Sequence, residues 1–484
     1  MKNFDAIVIG SGIGGLVSAG MLSSKGLKTL IIERHITPGG YLSSFKRNGF
    51  IFDSALDSIS GVNSGGLIYK TMEVLKIEKN ISFNILDPIR VSKFPDFEIV
   101  VDKDIDAYID RLSVIFPSSA DSIKKLFEKA DRIYSDAQSA INASISGRQE
   151  LYEINSDILK TMNSSYEDYL NEYIGDNRLK AVLSDRCPFI GLPPSRVSAF
   201  TMINMIMSYF SLGACRTVGG FQKLADAMLT GIIDIGGQAI LGNGARRILM
   251  DNRERCVGVI CENGEEYAAR YIISNADFCH TFNSLLGGKY SSFTDELMRN
   301  PGVSTSFFIL YAGIKGDTGR HSSIGYFPSY DIESFFSREM EFGEDSTIGM
   351  TAASLEDKSR APEGFGTVVL HEMVETTGRA IDKALCTEKI IKKAEKIIPG
   401  IRERIVTLDC ATPKTLNRYT MNFNGAAFGW KQAPGFRGTR RHGIKNLYIA
   451  GHWGDMGGGV LAAAYSGARA ASEILEREGM KVDI

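Results

Sequence analysis

The sequence predicts an α/β chain in which a Rossmann-like domain is interrupted by a mixed α+β insertion. Three observations predict it: a strand–glycine turn–helix–strand at the start, a mainly helical stretch from about 85 to 215, and a second strand–glycine turn–helix at the end. The first element, Asp5-Ala6-Ile7-Val8-Ile9, is an apolar run that reads as a buried strand. It leads into Gly10-Ser11-Gly12-Ile13-Gly14-Gly15, and Glu33-Arg34 follow at the end of the next apolar run. Such a unit suits a dinucleotide. Gly10 permits the tight turn, Gly12 lets backbone approach a pyrophosphate seated on the helix N-terminus, and Gly15 lets that helix pack close to the sheet. Glu33 can accept hydrogen bonds from a ribose. Leu16, Ala19 and Leu22 put an apolar stripe toward the sheet. In a chain with 50 glycines the bare glycine pattern carries little; the strand, the helix and the spaced acid carry the reading.

After this unit come Pro38-Gly39-Gly40 and the strand-like Gly49-Phe50-Ile51-Phe52-Asp53. The helical stretch contains amphipathic runs at Ile105–Val114, Ser122–Tyr134 and Tyr166–Tyr173. Val197–Cys215 carries no charge and approaches the length of a spanning helix. Thr201, Asn204, Ser208 and Ser211 nonetheless make one polar stripe along it, so it reads as a buried helix. Its Phe200, Met202, Met205, Met207 and Phe210 read as core, with a cavity for a long apolar ligand as the sharper alternative. Gly219-Gly220-Phe221 opens a helix to about Ile235. Short strands follow at Ala239–Leu241, Arg247–Met250, Cys256–Cys261 and Tyr271–Ser274, with a hairpin turn at Asn263-Gly264. Strands at Ser306–Tyr311 and Thr367–Glu372 and a helix at Lys389–Ile398, stopped by Pro399-Gly400, complete the insertion.

Composition excludes several function classes. The 55 Lys+Arg nearly cancel the 57 Asp+Glu, and no basic or acidic block suggests a nucleic-acid partner. Seven scattered cysteines without a Cys-x-x-Cys pair read as reduced thiols. The six histidines lack metal-ligand spacing, so no metal is expected. The first strand starts so early that no signal or transit peptide is expected, and the reading is cytoplasmic.

The last element is the strand Asn446–Ala450, the turn Gly451–Gly459 and the helix Leu461–Leu475. No further strand with its acid follows, so this is not a second fingerprint. It reads as the returning piece of the first domain, aiming a second helix N-terminus at one long cofactor. FAD is long enough to need it, and no second fingerprint remains for a nicotinamide cofactor.

Five blocks carry a family resemblance. They are the N-terminal fingerprint with Glu33-Arg34; Pro38-Gly39-Gly40-Tyr41-Leu42 through Asp53; Gly219-Gly220-Phe221 through Ala227 with Ser274-Asn275-Ala276-Asp277; Thr412-Pro413 through Thr420 with Gly425–Gly429; and Leu447–Gly451 through Gly457-Gly458-Gly459-Val460. Over nearly its whole length the chain resembles the phytoene desaturase / carotenoid isomerase / retinol saturase family of FAD-dependent, amine-oxidase-like proteins. The resemblance implies an FAD-binding domain of glutathione-reductase type from 1–80, 216–290 and 430–484. It leaves 81–215 and 291–429 to a substrate-binding domain with a helical subregion. It also implies the cofactor contacts: Gly10, Ser11, Gly12, Ile13, Gly14 and Gly15 at the pyrophosphate and Glu33-Arg34 at the adenosine ribose. Gly39, Gly40, Tyr41 and Leu42 would run past the isoalloxazine, Ala245 would meet adenine, and Gly451, His452, Asp455, Gly458, Gly459 and Val460 would lie over the ribityl and flavin. Three departures stand out. Tyr41 occupies a place where many bacterial desaturases carry arginine, which leans the resemblance toward the isomerase and saturase branch. His452 stands where isomerase-like members often have an acid, with Asp455 nearby as a substitute. Ser54-Ala55-Leu56-Asp57 interrupts a place where a glycine is usual.

The expected activity is desaturation, isomerisation or saturation of C=C bonds in a long hydrophobic polyene or isoprenoid, with polyketide or fatty acyl chains as a variant. A polyene offers no polar handle along its middle, so an apolar tunnel must bind it; Phe307, Phe308, Phe335 and Phe336 suit such a tunnel. Arg216 is a candidate to stabilise flavin anion or a substrate carboxylate, or to form a structural ion pair. Asp57 is a candidate acid or base, and His452 a candidate in the cofactor-facing turn with Trp453. Trp430-Lys431 would border the site or pack. With no nicotinamide site, oxygen, a quinone or a separate reductase is left to exchange electrons. The substrate class brings in peripheral membrane contact and, for acyl chains, a carrier protein. An amine oxidase and a non-catalytic prenyl-binding escort protein are the competing readings.

Overall fold

The computed structural model describes residues 2–146, 155–338, 341–375, 380–436, 438 and 442–482. Two seven-stranded sheets organise them. The first contains β1 (Lys2–Ile9), β2 (Thr29–Ile32), β9 (Gln238–Ile240), β10 (Ala245–Met250), β11 (Cys256–Cys261), β12 (Glu266–Ser274) and β18 (Leu447–Ile449). Its order is β10-β11-β12-β1-β2-β9, with β18 added beside the C-terminal half of β12. β1 runs parallel to both β2 and β12. Both faces of this parallel core are covered, which explains its unbroken apolar runs. Ala6, Val8, Ile31 and Ile273 face one cluster, which includes α1 (Ile13–Ser24), α2 (Leu67–Val74), α9 (Gln222–Asp234) and α14 (Val460–Arg477). Ile7, Ile9, Leu30, Ile32 and Ile272 face the other, with Phe278, Phe282, Trp430 and Trp453. A Cβ on Gly467 of α14 would overlap the Gly14 backbone of α1, so these two helices cross in direct contact.

The second sheet contains β6 (Arg90–Lys93), β7 (Glu98–Val101), β13 (Ser306–Lys315), β14 (Ser323–Tyr326), β15 (Ile348–Thr351), β16 (Phe365–Val374) and β17 (Ile405–Ala411), in the order β17-β13-β16-β15-β14-β6-β7. All its pairs are antiparallel except β14 with β6. Its two faces alternate as antiparallel strands require. Phe308, Leu310, Val368 and Leu370 pack under α11 (Lys383–Ala394), which α12 (Ile401–Arg404) follows. Phe307, Ile309, Val369 and His371 face the other way, into a cavity.

Two short ladders join the halves: β3 (Ser44–Arg47) with β4 (Phe50–Asp53), and β5 (Phe83–Ile85) with β8 (Cys215–Thr217). Two buried charge clusters stand beside them. In one, Arg360 pairs with Asp53 at 2.6 Å and Asp357 at 3.3 Å. In the other, Arg216 pairs with Asp57 at 2.5 Å and Glu356 at 2.8 Å. Asp53 and Asp57 follow from the first ladder, and Glu356 and Asp357 follow the 3-10 turn Ala353–Leu355 of the insertion.

The helical subregion comprises α3 (Ile105–Ile115), α4 (Ala120–Ile145), α5 (Ser156–Asn163), α6 (Tyr166–Asn171), α7 (Asn177–Leu183) and α8 (Ala199–Leu212). The expectation of helix from about 85 is corrected here, because residues 90–101 form the β6–β7 hairpin. Arg90-Val91-Ser92-Lys93 and Glu98-Ile99-Val100-Val101 are short, β-branched runs around Pro95-Asp96, which is strand and turn chemistry. The helix expected at Ser122–Tyr134 extends to Ile145, through small residues whose pattern gave no stripe. Two more helices, α10 (Ser291–Arg299) and α13 (Pro413–Thr420), flank the first sheet and the cavity. Among the described residues, no helix is long and apolar enough to cross a membrane.

Candidate active site

One cavity of about 900 Å³ runs between the two sheets. Its first end is made of backbone. Gly10, Gly12, Ile13, Gly14, Gly39 and Gly40 line it, with Gly451, Gly458, Gly459 and Val460 from the other end of the chain. Gly15 lies behind this surface. A Cβ there would overlap the Gly10 carbonyl, so the turn closes only with glycine. Ser11 also stands off the cavity. Its N–H and hydroxyl donate to Glu33 Oε2 at 2.8 and 2.7 Å, and the His35 N–H donates to Oε1 at 2.8 Å. Glu33 is thus fixed at the strand end while it lines the cavity with Arg34, Ala245, Arg246 and Glu262. The Arg34 guanidinium donates to the Arg418 carbonyl at 2.6 Å, tying this end to α13.

Asn275 wedges the two chain ends together. Its amide nitrogen would lie 2.8 Å from a Cβ on Gly12, and its amide oxygen 2.7 Å from one on Gly14 and 2.5 Å from one on Gly451. No side chain larger than hydrogen fits at those three places. Beside it, α13 is capped by Thr412 and Pro413 and ends at Met421 with φ 61°. That left-handed turn delivers Asn422 to the cavity. The Trp453 indole N–H donates to Asn422 Oδ1 at 2.8 Å, and His452 Nε2 lies 3.0 Å from the same atom. An indole nitrogen only donates, so the facing atom is the amide oxygen and His452 also donates from Nε2. Burial pushes the His452 imidazole down to about 4, so it is neutral at physiological pH. Tyr41 donates to the Ala426 carbonyl at 2.9 Å, and burial pushes its phenol up to about 12. Asp455, expected to substitute for the missing acid, is bound to Arg469 at 2.9 Å.

The second end of the cavity is apolar. α8 contributes Phe200, Thr201, Asn204, Met205, Ser208 and Tyr209. Its Met202, Ile203 and Met207 point the other way, into core. Three members of the expected polar stripe therefore face the cavity, Ser211 is exposed, and Met and Phe are divided between wall and core. Of the four phenylalanines expected to suit a tunnel, Phe307 lines the wall; Phe308 packs under α11, and Phe335 and Phe336 pack in the helical core. Trp430 is buried against Phe278 and Trp453, not in the wall.

Two catalytic candidates are corrected. Arg216 does not reach the cavity. Its donors go to the Asp57 carboxylate, Glu356, the Asp57 carbonyl at 2.8 Å and the Ser322 carbonyl at 3.1 Å. Arg216 does not line the cavity, so it is not placed to meet a flavin or a substrate carboxylate. Asp57 lies in the wall, but its Oδ1 also accepts from Thr351 at 2.8 Å and its Oδ2 from Ser323 at 2.7 Å. Burial raises its pKa, but the Arg216 charge and the two hydroxyls outweigh burial and hold it below the usual carboxylate range. It is a fixed counter-ion, not an acid or base near neutral pH. Sequence reasoning missed Asn275 and Asn422 as site residues, the wall from Ala137 to Ser144 on α4, and His371. The signal for His371 was the strand alternation of β16, in which it falls on the same face as Val369.

The glycine cradle, the fixed acid and two helix N-termini fit a long, nucleotide-bearing group. The family described as flavin containing amine oxidoreductase matches residues 13–475. Prolycopene isomerase 1 of an Oncidium hybrid is 26% identical over 99% of this chain and 85% of its own length. The neurosporene-forming phytoene desaturase of Rhodobacter capsulatus is 26% identical over 97% of this chain and 93% of its own. Among solved structures, cyclohexylamine oxidase from Brevibacterium oxydans shares the fold with a TM-score of 0.64 at 14% identity, covering 98% of this chain and 99% of that one.

Proposed function

This chain belongs to the flavin containing amine oxidoreductase family, and from that premise we propose that it binds FAD and acts on the C=C bonds of a long hydrophobic polyene or isoprenoid, by desaturation, isomerisation or saturation. The observation that carries the reading is one cavity whose first end is a glycine cradle and whose second is an apolar chamber. Gly10, Gly12 and Gly14 suit the pyrophosphate at the α1 N-terminus, and Glu33 suits the adenosine ribose. Gly458, Gly459 and Val460 offer a second helix N-terminus to the far part of the same cofactor. A flavin, when bound, supplies hydride and electron exchange at carbon. The chain's own residues position and enclose. Neutral His452 and Tyr41 are locked to Asn422 and the Ala426 carbonyl, so they set shape and dipole without titrating near neutral pH. Phe189, Phe200, Met205, Phe307 and Phe428 exclude water and grip an apolar chain.

The acids of the wall favour this reading over amine oxidation. Asp57 is spent on Arg216 and two hydroxyls, Asp455 on Arg469, and Glu33 on Ser11 and His35. Glu262 stands at the nucleotide end, beside Gly244. None of these offers a free carboxylate to an ammonium group in the chamber. The relatives named for prolycopene and phytoene support the substrate class. The test is a visible spectrum of the purified protein, followed by anaerobic photoreduction and mixing with candidate polyenes. Flavin bands are expected, followed by one of three balanced outcomes: reduced flavin is reoxidised as a C=C bond is saturated, polyene geometry changes while the flavin stays reduced, or, on mixing with the oxidised protein, the flavin is reduced as a C=C bond forms. Rapid reduction by simple amines, with no response to polyenes, would overturn the reading.

A further inference from the structure

His371 belongs to neither the cradle nor the buried charge clusters. It sits on β16 in register with Ile309 of β13 and Gly349 of β15. A Cβ on Gly349 would overlap the imidazole, so the neighbouring strand gives up its side chain to make room. The ring stands edge-on to Phe307 at 5.7 Å and to Phe189 at 6.3 Å, and it lines the apolar chamber. It makes no hydrogen bond to any described residue. Burial holds it neutral, pushing its pKa down to about 4, so one ring nitrogen donates and the other accepts.

A second unpaired group shares the chamber. Asn204 of α8 donates its amide N–H to the Phe200 carbonyl at 2.8 Å, which fixes the orientation of the amide. Its Oδ1 is then a buried acceptor without a partner. A hydrocarbon that filled the chamber would displace water from the imidazole and leave it unpaired beside this buried amide oxygen, which costs binding. The charges behind the wall balance. Arg90 and Arg186 stand over the Phe189 ring at 5.0 and 5.1 Å, and Arg216 lies beyond them. Asp57, Asp185 and Glu356 oppose these three cations. A balanced wall favours a neutral polar group over an ammonium or a carboxylate.

We propose that the substrate carries a neutral oxygen function, a hydroxyl or carbonyl, and that His371 is the residue that anchors it in the chamber. This rests on the polyene reading given above and narrows it from hydrocarbons to oxygenated chains. A hydroxyl can donate to one nitrogen acceptor and accept from one nitrogen donor, which matches what a neutral imidazole offers. The glycine at 349 is then part of substrate recognition, because any side chain there would displace the imidazole.

The test uses the flavin-loaded protein and two probes, all-trans-retinol and the hydrocarbon of the same skeleton that lacks the hydroxyl. Dissociation constants are measured by equilibrium dialysis and by quenching of protein fluorescence. The alcohol should bind about tenfold more tightly than the hydrocarbon, the scale of one buried hydrogen bond against one unpaired group. His371→Phe should bring that ratio close to one while keeping the hydrocarbon affinity, and His371→Gln should keep part of the preference. Equal binding of the two probes to the unaltered protein would overturn the anchor and leave the polyene reading standing. A preference that survives in His371→Phe would remove His371 from the role. Binding of neither probe would overturn the polyene reading itself.

Discussion

The two ends of the cavity are built from different material. At the nucleotide end the wall is main chain, and three glycines around Asn275 leave no space for a side chain. At the far end the wall is side chains from α4, α8, β13, β15 and β16, elements that lie far apart in sequence. A backbone wall tolerates almost no substitution, so it leaves a spelled pattern. A side-chain wall needs only apolar volume, and many spellings supply that. The family is therefore written at one end, and the specificity sits at the other.

Four measurements test that contrast. Gly15→Val has the largest expected effect, since the new side chain overlaps the Gly10 carbonyl. Purified protein should lose nearly all flavin absorbance at 450 nm (about the usual flavin maximum), and normal flavin content would mean that the cradle is not held by the backbone. Arg216→Met comes next. It leaves the Asp57 carboxylate buried without its counter-ion, at a cost of about 3–5 kcal/mol, read as a lower denaturant midpoint. The sign of the pH effect follows from Asp57, whose folded pKa lies below its unfolded one. Its contribution is present at neutral pH and is lost as pH falls through that lowered value. An unchanged midpoint in Arg216→Met would show that the pair does not hold the halves together.

The third measurement divides one helix. Met202 is fully buried in core and Met205 lines the chamber. Met202→Ala should cost about 2–5 kcal/mol of stability. Met205→Ala should cost under about 1 kcal/mol, yet weaken binding of an apolar polyene. Reversed results would mean that the chamber wall is core. The smallest effect concerns protons. Burial places His371 and His452 at about 4, against about 6.5 in an unfolded chain. The unfolded state binds more protons between those values, so stability should fall as pH drops from about 6.5 toward about 4. His371→Phe should make that slope shallower in urea titrations at stepped pH, and an unaltered slope would show that its imidazole is not desolvated.

The contrast also explains what the sequence made legible. The β1 run and its turn were readable because each glycine answers a steric demand within a few residues. The strand Cys256–Cys261 was readable because its alternation and the Asn263-Gly264 turn are local. The β6–β7 hairpin was read with the helices that follow it because its two strands are four residues each, too short to stand out beside them, and its further partner, β14, lies more than 200 residues away in sequence. Arg216 and Asp57 were weighed as chemistry because sequence shows a charge but not the opposite charge beside it. Asn422 was invisible because its value comes from where Met421 turns the chain. His371 was legible only to someone who already knew which face of β16 was wet.

The contact between Gly14 and Gly467 has a consequence for biosynthesis. One wall of the nucleotide cradle leaves the ribosome long before its counterpart, with the strands and helices of the chamber encoded between them. Everything that shapes the chamber must be made, and must be parked out of the way, before α14 can dock on α1. A nascent chain therefore has half a cradle until Gly451 and α14 have been made. Flavin capture then marks chains in which α14 has docked on α1, and yellow colour in a preparation counts those molecules.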